Sequence, residues 1–132
     1  MTAAAPKRIL IVEDNPLNLE LVRDILTAEG YEVLEAIDGP TGVAIATLER
    51  PALILMDLQL PGLDGLQATQ QIRADPRLRD VPIVAVTAHA MKGDDERARA
   101  AGCDGFIPKP IQVREFVQAV LSYLDRPKPG GD

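Results

Sequence analysis

Residues 52–56 read Ala-Leu-Ile-Leu-Met, an unbroken apolar run that is followed at once by Asp57. A run of this length without a polar residue predicts a β-strand buried on both faces, as strands are in a parallel sheet. Other candidate strands are shorter or more mixed versions of this run: 9–12, 31–36, 83–86 and 105–108. The mixed composition of 31–36 is typical of a strand nearer the edge of the sheet.

Helical patterns separate the candidate strands. Asn15 can cap a helix that has Pro16 at its first position, and Gly30 supplies its end. Within this helix, apolar residues recur at helical spacing at positions 17, 21, 25 and 28. Further helices are predicted from about 41 to 49, after the Asp-Gly pair at 64–65, over 92–101 and over 113–124. The helix over 92–101 offers little besides alanines to a core, so we expect it to be weakly anchored.

The order of these elements is strand then helix, five times over. This alternation predicts an α/β fold, a doubly wound (βα)5 domain with a five-stranded parallel sheet. A length of 132 residues allows one such domain, which we place at 7–125. The end segments 1–6 and 126–132 are rich in Ala, Pro and Gly and are expected to be flexible tails.

The composition excludes several classes of function. Lys and Arg total 14 against 20 Asp and Glu, a net charge of −6, which argues against nucleic-acid binding. The single cysteine, Cys103, cannot form an internal disulfide, and we interpret it as a small packing residue. No apolar stretch approaches the ~20 residues of a membrane span. We therefore expect a cytoplasmic protein with no membrane insertion.

Polar residues that could take part in binding or catalysis follow four of the five candidate strands. Because ligands bind beyond the carboxyl ends of parallel strands, we expect these residues to converge at one edge of the sheet. Carboxylates without histidine or cysteine favour a hard cation, and Mg²⁺ uses few protein carboxylates. The converging residues are Glu13, Asp14, Asp57, Thr87 and Lys109.

Four segments resemble the signature of response-regulator receiver domains, the CheY-like superfamily. They are 9–15 (ILIVEDN), 53–65 (LILMDLQLPGLDG), 84–88 (VAVTA) and the Lys-Pro pair at 109–110. The resemblance covers about 7–125. The segments 90–97 (AMKGDDER) and 101–103 (AGC) further resemble DivK-type single-domain regulators.

The resemblance implies a flavodoxin/CheY-like fold with strand order 2-1-3-4-5, and a phosphorelay function. Asp57 would accept a phosphoryl group from a phosphohistidine on a histidine kinase or a histidine phosphotransfer protein. Mg²⁺ would be bound by Asp14, Asp57 and the backbone carbonyl of Gln59, with Glu13 acting through a water molecule. Lys109 would pair with Asp57 at rest and with a phosphoryl oxygen afterwards.

The same resemblance assigns a switch. The Thr87 hydroxyl and the Ala88 N–H would donate to the phosphoryl group, and Phe106 would swing inward, where many relatives have tyrosine. Pro110 would follow a cis peptide bond that directs Lys109 into the site. Gln59 and His89 would position or block the water that hydrolyses the acyl phosphate, although His89 could equally be an exposed loop residue.

Two other classes of protein share parts of this pattern. A haloacid-dehalogenase-type enzyme needs a second aspartate two residues after its nucleophile, where this chain has Gln59. A flavodoxin-like module needs a Ser/Thr/Gly-rich loop after the first strand, where this chain has the anionic segment 13–16. Both classes fit the sequence less well than a receiver domain.

Within the receiver interpretation three outputs remain open. The chain could be a stand-alone regulator that binds a downstream signalling protein when phosphorylated. It could instead be a phosphate shuttle or sink, or a receiver module excised from a hybrid histidine kinase, which the initiating methionine and short tail disfavour. In each case we expect a phosphoacceptor that catalyses its own phosphotransfer and slow autodephosphorylation but is not a turnover enzyme. We expect it to be monomeric.

Overall fold

A computed structural model of the chain describes residues 6–60, 62–87 and 93–125. The strands are β1 (Arg8–Val12), β2 (Glu32–Ala36), β3 (Leu53–Asp57), β4 (Ile83–Thr87) and β5 (Gly105–Pro108). The helices are α1 (Pro16–Ala28), α2 (Gly39–Glu49), α3 (Gly65–Arg73), α4 (Asp94–Ala101) and α5 (Val113–Leu124), with a short 3₁₀ turn at Pro76–Leu78. All five predicted strands are confirmed within one residue of their predicted bounds.

The strands form one parallel sheet in the order β2-β1-β3-β4-β5. This is the doubly wound α/β fold that was predicted, in the order that the resemblance implied. The apolar strands β3 and β4 are buried along their whole length. The mixed strand β2 lies at the edge and is only partly buried, as its composition predicted.

Apolar side chains leave the two faces of the sheet in alternation and form two cores. One core joins residues of β1, β3 and β4 such as Leu10, Ile54 and Ala85 to helices α2, α3 and α4. The other joins the alternate residues of the same strands, such as Ile11 and Leu55, to α1 and α5. Since side chains alternate along a strand, each face of the sheet is covered by its own set of helices.

Helix α1 begins where the sequence predicted, because the Asn15 side chain accepts from the backbone N–H groups of Leu17 and Asn18. The buried residues of α1 are not those of the apolar repeat at 17, 21, 25 and 28. Leu17 is 78% exposed and Leu21 is 42% exposed. A second apolar stripe in the same helix contacts the sheet instead: Leu19, Val22 and Leu26. The helix carries both stripes at helical spacing, and only the packing against β1 distinguishes them.

Helix α2 begins two residues earlier than predicted, at Gly39. The Asp38 carboxylate accepts from the Thr41 N–H and so caps the helix, and Pro40 fits its first turn. Helix α4 is described from Asp94, so the predicted start at Lys92 lies outside the described residues. Its buried side chains include two alanines, Ala98 and Ala101, in keeping with the small core contribution predicted for it.

Three further expectations concerned Cys103, the two ends of the chain and membrane-spanning helices. Cys103 is buried and packs in the core formed with α2, α3 and α4, which confirms its interpretation as a packing residue. The expected tails fall largely outside the described residues, which end at 6 and 125. Among the helices that are described, none combines the length and apolar character that a membrane span requires.

Candidate functional site

The two-residue period of the strands brings three charged side chains to one face at the carboxyl edge of the sheet. Glu13 lies two residues beyond Ile11, and Asp57 lies two residues beyond Leu55, so both point toward the α1 and α5 face. Lys109 follows Ile107 at the same interval on β5. The alternation therefore gathers one ammonium and two carboxylates.

The Lys109 ammonium lies between the two carboxylates. Its Nζ donates to Glu13 Oε1 at 2.7 Å and to Asp57 Oδ2 at 3.4 Å. The side chain of Lys109 is 13% exposed and those of Glu13 and Asp57 are each 5% exposed. Lys109 contacts Asp57, as the resemblance implied, but its shorter contact is to Glu13.

Burial of Glu13 has an electrostatic consequence. Desolvation raises the pKa of the Glu13 carboxyl, and the nearby Asp57 carboxylate raises it further. Hydrogen bonds from Lys109 and from the backbone N–H of Asn15, at 3.1 Å, oppose this shift without cancelling it. The start of α1 thus also orients Glu13. The Asn15 side chain caps the helix, and the Asn15 backbone N–H donates to the Glu13 carboxylate.

Asp57 is held by the turn that follows β3. Its Oδ1 accepts from the backbone N–H of Gln59 at 2.9 Å, which leaves Oδ2 facing Lys109. The start of α3 packs directly on this turn at Gly65. A Cβ at Gly65 would lie 2.2 Å from the Asp57 carbonyl oxygen and 2.7 Å from the Leu58 Cα, so only glycine fits there.

An acidic cluster beside Asp57 is suited to a hard cation. Oxygens of Glu13, Asp14 and Asp57 lie within 4.8 Å of one another, with Asp14 exposed and the other two buried. One ammonium offsets part of this charge, and the exposed Asp14 leaves an open approach from solvent. An oxygen-only donor set with room for water fits Mg²⁺, which keeps several waters in protein sites.

Thr87 is the last residue of β4, at the carboxyl edge of the sheet, and Phe106 lies on the adjacent strand β5. In the β4–β5 ladder Ala85 pairs with Phe106, and Thr87 lies two residues beyond Ala85. Thr87 is 2% exposed, and Phe106 is half-buried against the core of α2, α3 and α4. The two side chains therefore share one face of adjacent strands.

The remaining predicted site residues fall into two groups. The Lys109–Pro110 peptide bond is cis, and the Lys109 N–H donates to the Thr87 carbonyl at 2.7 Å. Ala88 and His89 lie outside the described residues. A cleft of about 420 Å³ beside the site is lined by Gln59, Thr87 and residues of α3 and α4.

Sequence reasoning missed the interaction of Asn15 with Glu13 and the Lys109–Glu13 ion pair. The cap motif at Asn15 was visible in the sequence, but its second contact depends on how the loop folds. The signal for the ion pair was the strand period: positions 13, 57 and 109 each lie two residues beyond an inward-facing aliphatic residue of one core.

Comparisons with known proteins agree on one family. A model of the response regulator receiver domain matches residues 9–121. The polar-differentiation response regulator DivK of Brucella anthropi is 49% identical over 119 residues, which cover 90% of this chain and 97% of that protein. The DivK protein of Brucella ovis is 48% identical over 118 residues, covering 89% and 96%.

Solved structures give the same result for the fold. The receiver domain of the sensor histidine kinase PA1611 from Pseudomonas aeruginosa, which holds a magnesium ion in its active-site cleft, is 39% identical with a TM-score of 0.86. The alignment covers 92% of this chain and all of that domain. The chemotaxis protein CheY4 of Vibrio cholerae has a TM-score of 0.86 at 24% identity over 90% of this chain and 99% of that one, which shows a shared fold.

Proposed function

The chain belongs to the response regulator receiver domain family, and from this premise we propose that Asp57 is its phosphoacceptor. As a member of this family it is a receiver of two-component signalling, similar to DivK regulators. The observation that carries the assignment is the contact set of Asp57. One of its oxygens is fixed by the Gln59 N–H, and the other faces the ammonium of Lys109.

The proposed reaction is a transfer of a phosphoryl group from a histidine nitrogen to a carboxylate oxygen. An Asp57 oxygen attacks phosphorus, the phosphorus–nitrogen bond breaks, and the histidine nitrogen keeps the electron pair. Lys109 offsets the negative charge that gathers on the phosphoryl oxygens. Its stem reaches the site from β5, so the ammonium can move from Glu13 to a phosphoryl oxygen without displacing the backbone.

The acidic cluster supports a magnesium site. We propose that Asp14, Asp57 and the backbone carbonyl of Gln59 hold Mg²⁺ and that Glu13 acts through a bound water. The magnesium-bound PA1611 receiver domain is consistent with this proposal. When bound, the ion supplies positive charge between the carboxylate and the phosphoryl group, which otherwise repel each other.

Thr87, Ala88 and Phe106 form the proposed readout. The Thr87 hydroxyl and the Ala88 N–H donate to the phosphoryl group, and the Phe106 ring takes the space that Thr87 leaves. Burial of Thr87 on the Phe106 face supports this coupling. Since position 106 is phenylalanine, the ring can move but has no hydroxyl to donate.

The proposed partners follow from this chemistry. A histidine kinase or a histidine phosphotransfer protein supplies the phosphoryl group, and a downstream signalling protein binds the phosphorylated surface. We propose that the protein is a monomeric cytoplasmic regulator. It is phosphorylated once per signal and is not a turnover enzyme. Asp57 itself carries the phosphoryl group, so each transfer consumes the free carboxylate until hydrolysis restores it.

The test is covalent labelling by acetyl phosphate in the presence of MgCl₂, followed by intact mass spectrometry. We expect one phosphoryl adduct on the wild-type protein and none on Asp57→Asn. Asp24→Asn, which changes an exposed carboxylate on α1, is the matched control and should label normally. Equal labelling of Asp57→Asn would refute the assignment.

A further inference from the structure

Arg73, the last residue of α3, lies at the opposite end of the sheet from the site and holds four segments together. Its guanidinium donates to carbonyls of the 3₁₀ turn, the loop before β4 and the α4–β5 loop, and to one carboxylate. The acceptors are Gly102 O at 2.8 Å, Leu78 O at 3.0 Å, Arg79 O at 3.3 Å, Val81 O at 2.8 Å and Asp104 Oδ2 at 2.6 Å. Three of the carbonyls are bonded by Nη1, which has two N–H groups and so shares one of them between two carbonyls. The planar guanidinium thus reaches all five acceptors from one side chain.

Asp104 extends these contacts into the sheet. Its Oδ2 accepts from both Arg73 and the backbone N–H of Ile83, the latter at 2.9 Å. The Asp104 N–H also donates to the Ile83 carbonyl at 2.7 Å. Asp104, the residue before β5, is therefore bonded both to Ile83, the first residue of β4, and to Arg73.

Gly102 completes the arrangement at the end of α4. Its φ of +116° is in the left-handed region, and a Cβ would lie 2.5 Å from the Cγ of Arg73. The N–H groups of Gly102 and Cys103 close the last turn of α4 onto Arg99 and Ala98. We call Arg73, Gly102 and Asp104 the Arg73 clasp.

The other end of α4 is held differently. Gly93 precedes the first residue of the helix, Asp94, and has no side chain that could cap it. Asp94 pairs with Arg97 within the helix itself. The carboxyl end of the helix is tied to α3 by the charge-assisted bond from Arg73 to Gly102. Asp94 and Arg97, near its amino end, line the cleft beside Thr87.

We propose that Arg73 and Asp104 are positioning residues for the phosphorylation response. The Arg73 clasp fixes the carboxyl end of α4 to the starts of β4 and β5. A change at Thr87, at the other end of β4, then moves only the amino end of α4, which pivots about the clasp. The part of this proposal that concerns phosphorylation rests on the proposed function.

The first test needs no phosphorylation: native-state amide hydrogen exchange of Arg73→Gln without ligand. We expect the amide exchange rates of four residues to rise at least about tenfold more than the exchange rates of the β3 amides. These residues are Ile83, Gly102, Cys103 and Asp104. Arg77→Gln is the matched control, because the partner of that exposed guanidinium among the described residues is Asp75 in its own turn. A uniform rise across the sheet, or no rise at these amides, would overturn the clasp.

A second variant, Asp104→Asn, tests the same contacts if Arg73→Gln does not fold. Asp104→Asn keeps an oxygen for the Ile83 N–H but removes the charge that binds Arg73. It should raise exchange at Gly102 and Cys103 by less than Arg73→Gln does. Exchange that is unchanged in Asp104→Asn contradicts the role given to the Arg73–Asp104 ion pair.

The second measurement addresses the pivot. Amide shifts are recorded with and without Mg²⁺ and beryllofluoride, which mimics the phosphoryl group. In the wild type the shift changes along α4 should fall to the noise by 102–104, and in Arg73→Gln they should extend through 102–104. Changes of equal size at both ends of α4 in the wild type would refute the pivot. If beryllofluoride changes no shifts in the wild type, the proposed function and the pivot both fail, and the exchange result still decides the clasp.

Discussion

Lys109 shows how one side chain sets the charge balance of the site. Its ammonium contacts Glu13 at 2.7 Å and Asp57 at 3.4 Å, and all three side chains are largely buried. Removing a partner from buried charges leaves the remaining charges without compensation. We predict that Lys109→Gln lowers the free energy of unfolding of the metal-free protein by about 2 kcal/mol at pH 7.5, a value reduced for partial exposure.

Urea unfolding with EDTA and with excess MgCl₂ measures this effect. Mg²⁺ should restore much of the loss, because a divalent cation replaces the missing charge. Arg114→Gln, on the outer side of α5, is the control and should be neutral in both conditions. A loss in Lys109→Gln that Mg²⁺ does not change would mean that Lys109 acts through packing rather than charge.

The pH dependence of Lys109→Gln has a defined sign. The pKa of Glu13 is raised above its ordinary value of 4.5 in the folded state. A raised carboxyl pKa adds stability at pH values below the unfolded pKa, and this stability is lost as pH rises through the folded pKa. Without the ammonium the pKa rises further, so the deficit should shrink as the pH falls from 7.5 toward 4.5. A deficit that grows on acidification contradicts this electrostatic account.

Cys103 offers a test of burial at a single residue. Desolvation raises the pKa of its thiol above the ordinary value of 9.0, and the Thr69 hydroxyl and Arg73 only partly oppose this. The thiolate is the reactive form, so the native thiol should react with Ellman's reagent at pH 8 at least about tenfold more slowly than the urea-unfolded chain. Equal rates in the two states would show that the thiol is accessible.

At the scale of helices and strands, the sequence predicted which segments form strands better than it predicted which face of a helix is buried. Strands β1, β3 and β4 were predictable because each contains an unbroken apolar run, which is typical of a strand buried on both faces. The buried stripe of α1 was not, since Leu17 and Leu21 have the same spacing as the stripe that packs against β1. The choice between the stripes is made by tertiary contacts, which local periodicity does not contain.

The site shows the same division between local and non-local information. Asp57 and Lys109 were predictable from their places after strands and from the resemblance. The 2.7 Å contact of Lys109 with Glu13 joins residues 96 positions apart. The Arg73 contacts span up to 31 positions. Such pairs depend on strand order and loop conformation together, which no single segment specifies.

The junction between β3 and α3 gives a prediction at this scale. Gly65→Ala places a Cβ 2.2 Å from the Asp57 carbonyl oxygen, so either the helix or the turn must shift. We expect a loss of about 3 kcal/mol in the free energy of unfolding, because both contacting groups are backbone. The measurement is urea unfolding of the variant beside the wild type.

Gly30→Ala is the control for this prediction. Gly30 has a φ of +91° with open space around its Cβ, so alanine there adds backbone strain of about 1 to 2 kcal/mol but no clash. The Gly65 variant should therefore be the less stable of the two. The reverse order would show that the junction tolerates a displacement of α3 from β3.

At the scale of the whole molecule, the parallel sheet separates charge along its strand direction. The carboxyl edge gathers Glu13, Asp14 and Asp57 within 4.8 Å of one another. The opposite edge holds Arg8 paired with Glu49 and the Arg73 clasp. Arg8 and Arg73 at that edge each have an acidic partner, whereas at the carboxyl edge Lys109 faces two carboxylates. The fold thus keeps an uncompensated negative charge at the edge where the proposed Mg²⁺ and phosphoryl donor would bind.

This uncompensated charge predicts that Mg²⁺ stabilises the whole domain. A ligand that binds only the folded state adds about 2.7 kcal/mol at a free concentration one hundred times its Kd. For a domain of this size the melting temperature should then rise by about 10 °C. Differential scanning fluorimetry with MgCl₂, against NaCl of equal ionic strength, separates binding from screening. Asp14→Asn and Asp57→Asn should each lose most of the Mg²⁺-specific rise, whereas Asp95→Asn on α4 should keep it. If both site variants keep the full rise, the cation binds elsewhere on the chain and the carboxyl edge is not its site.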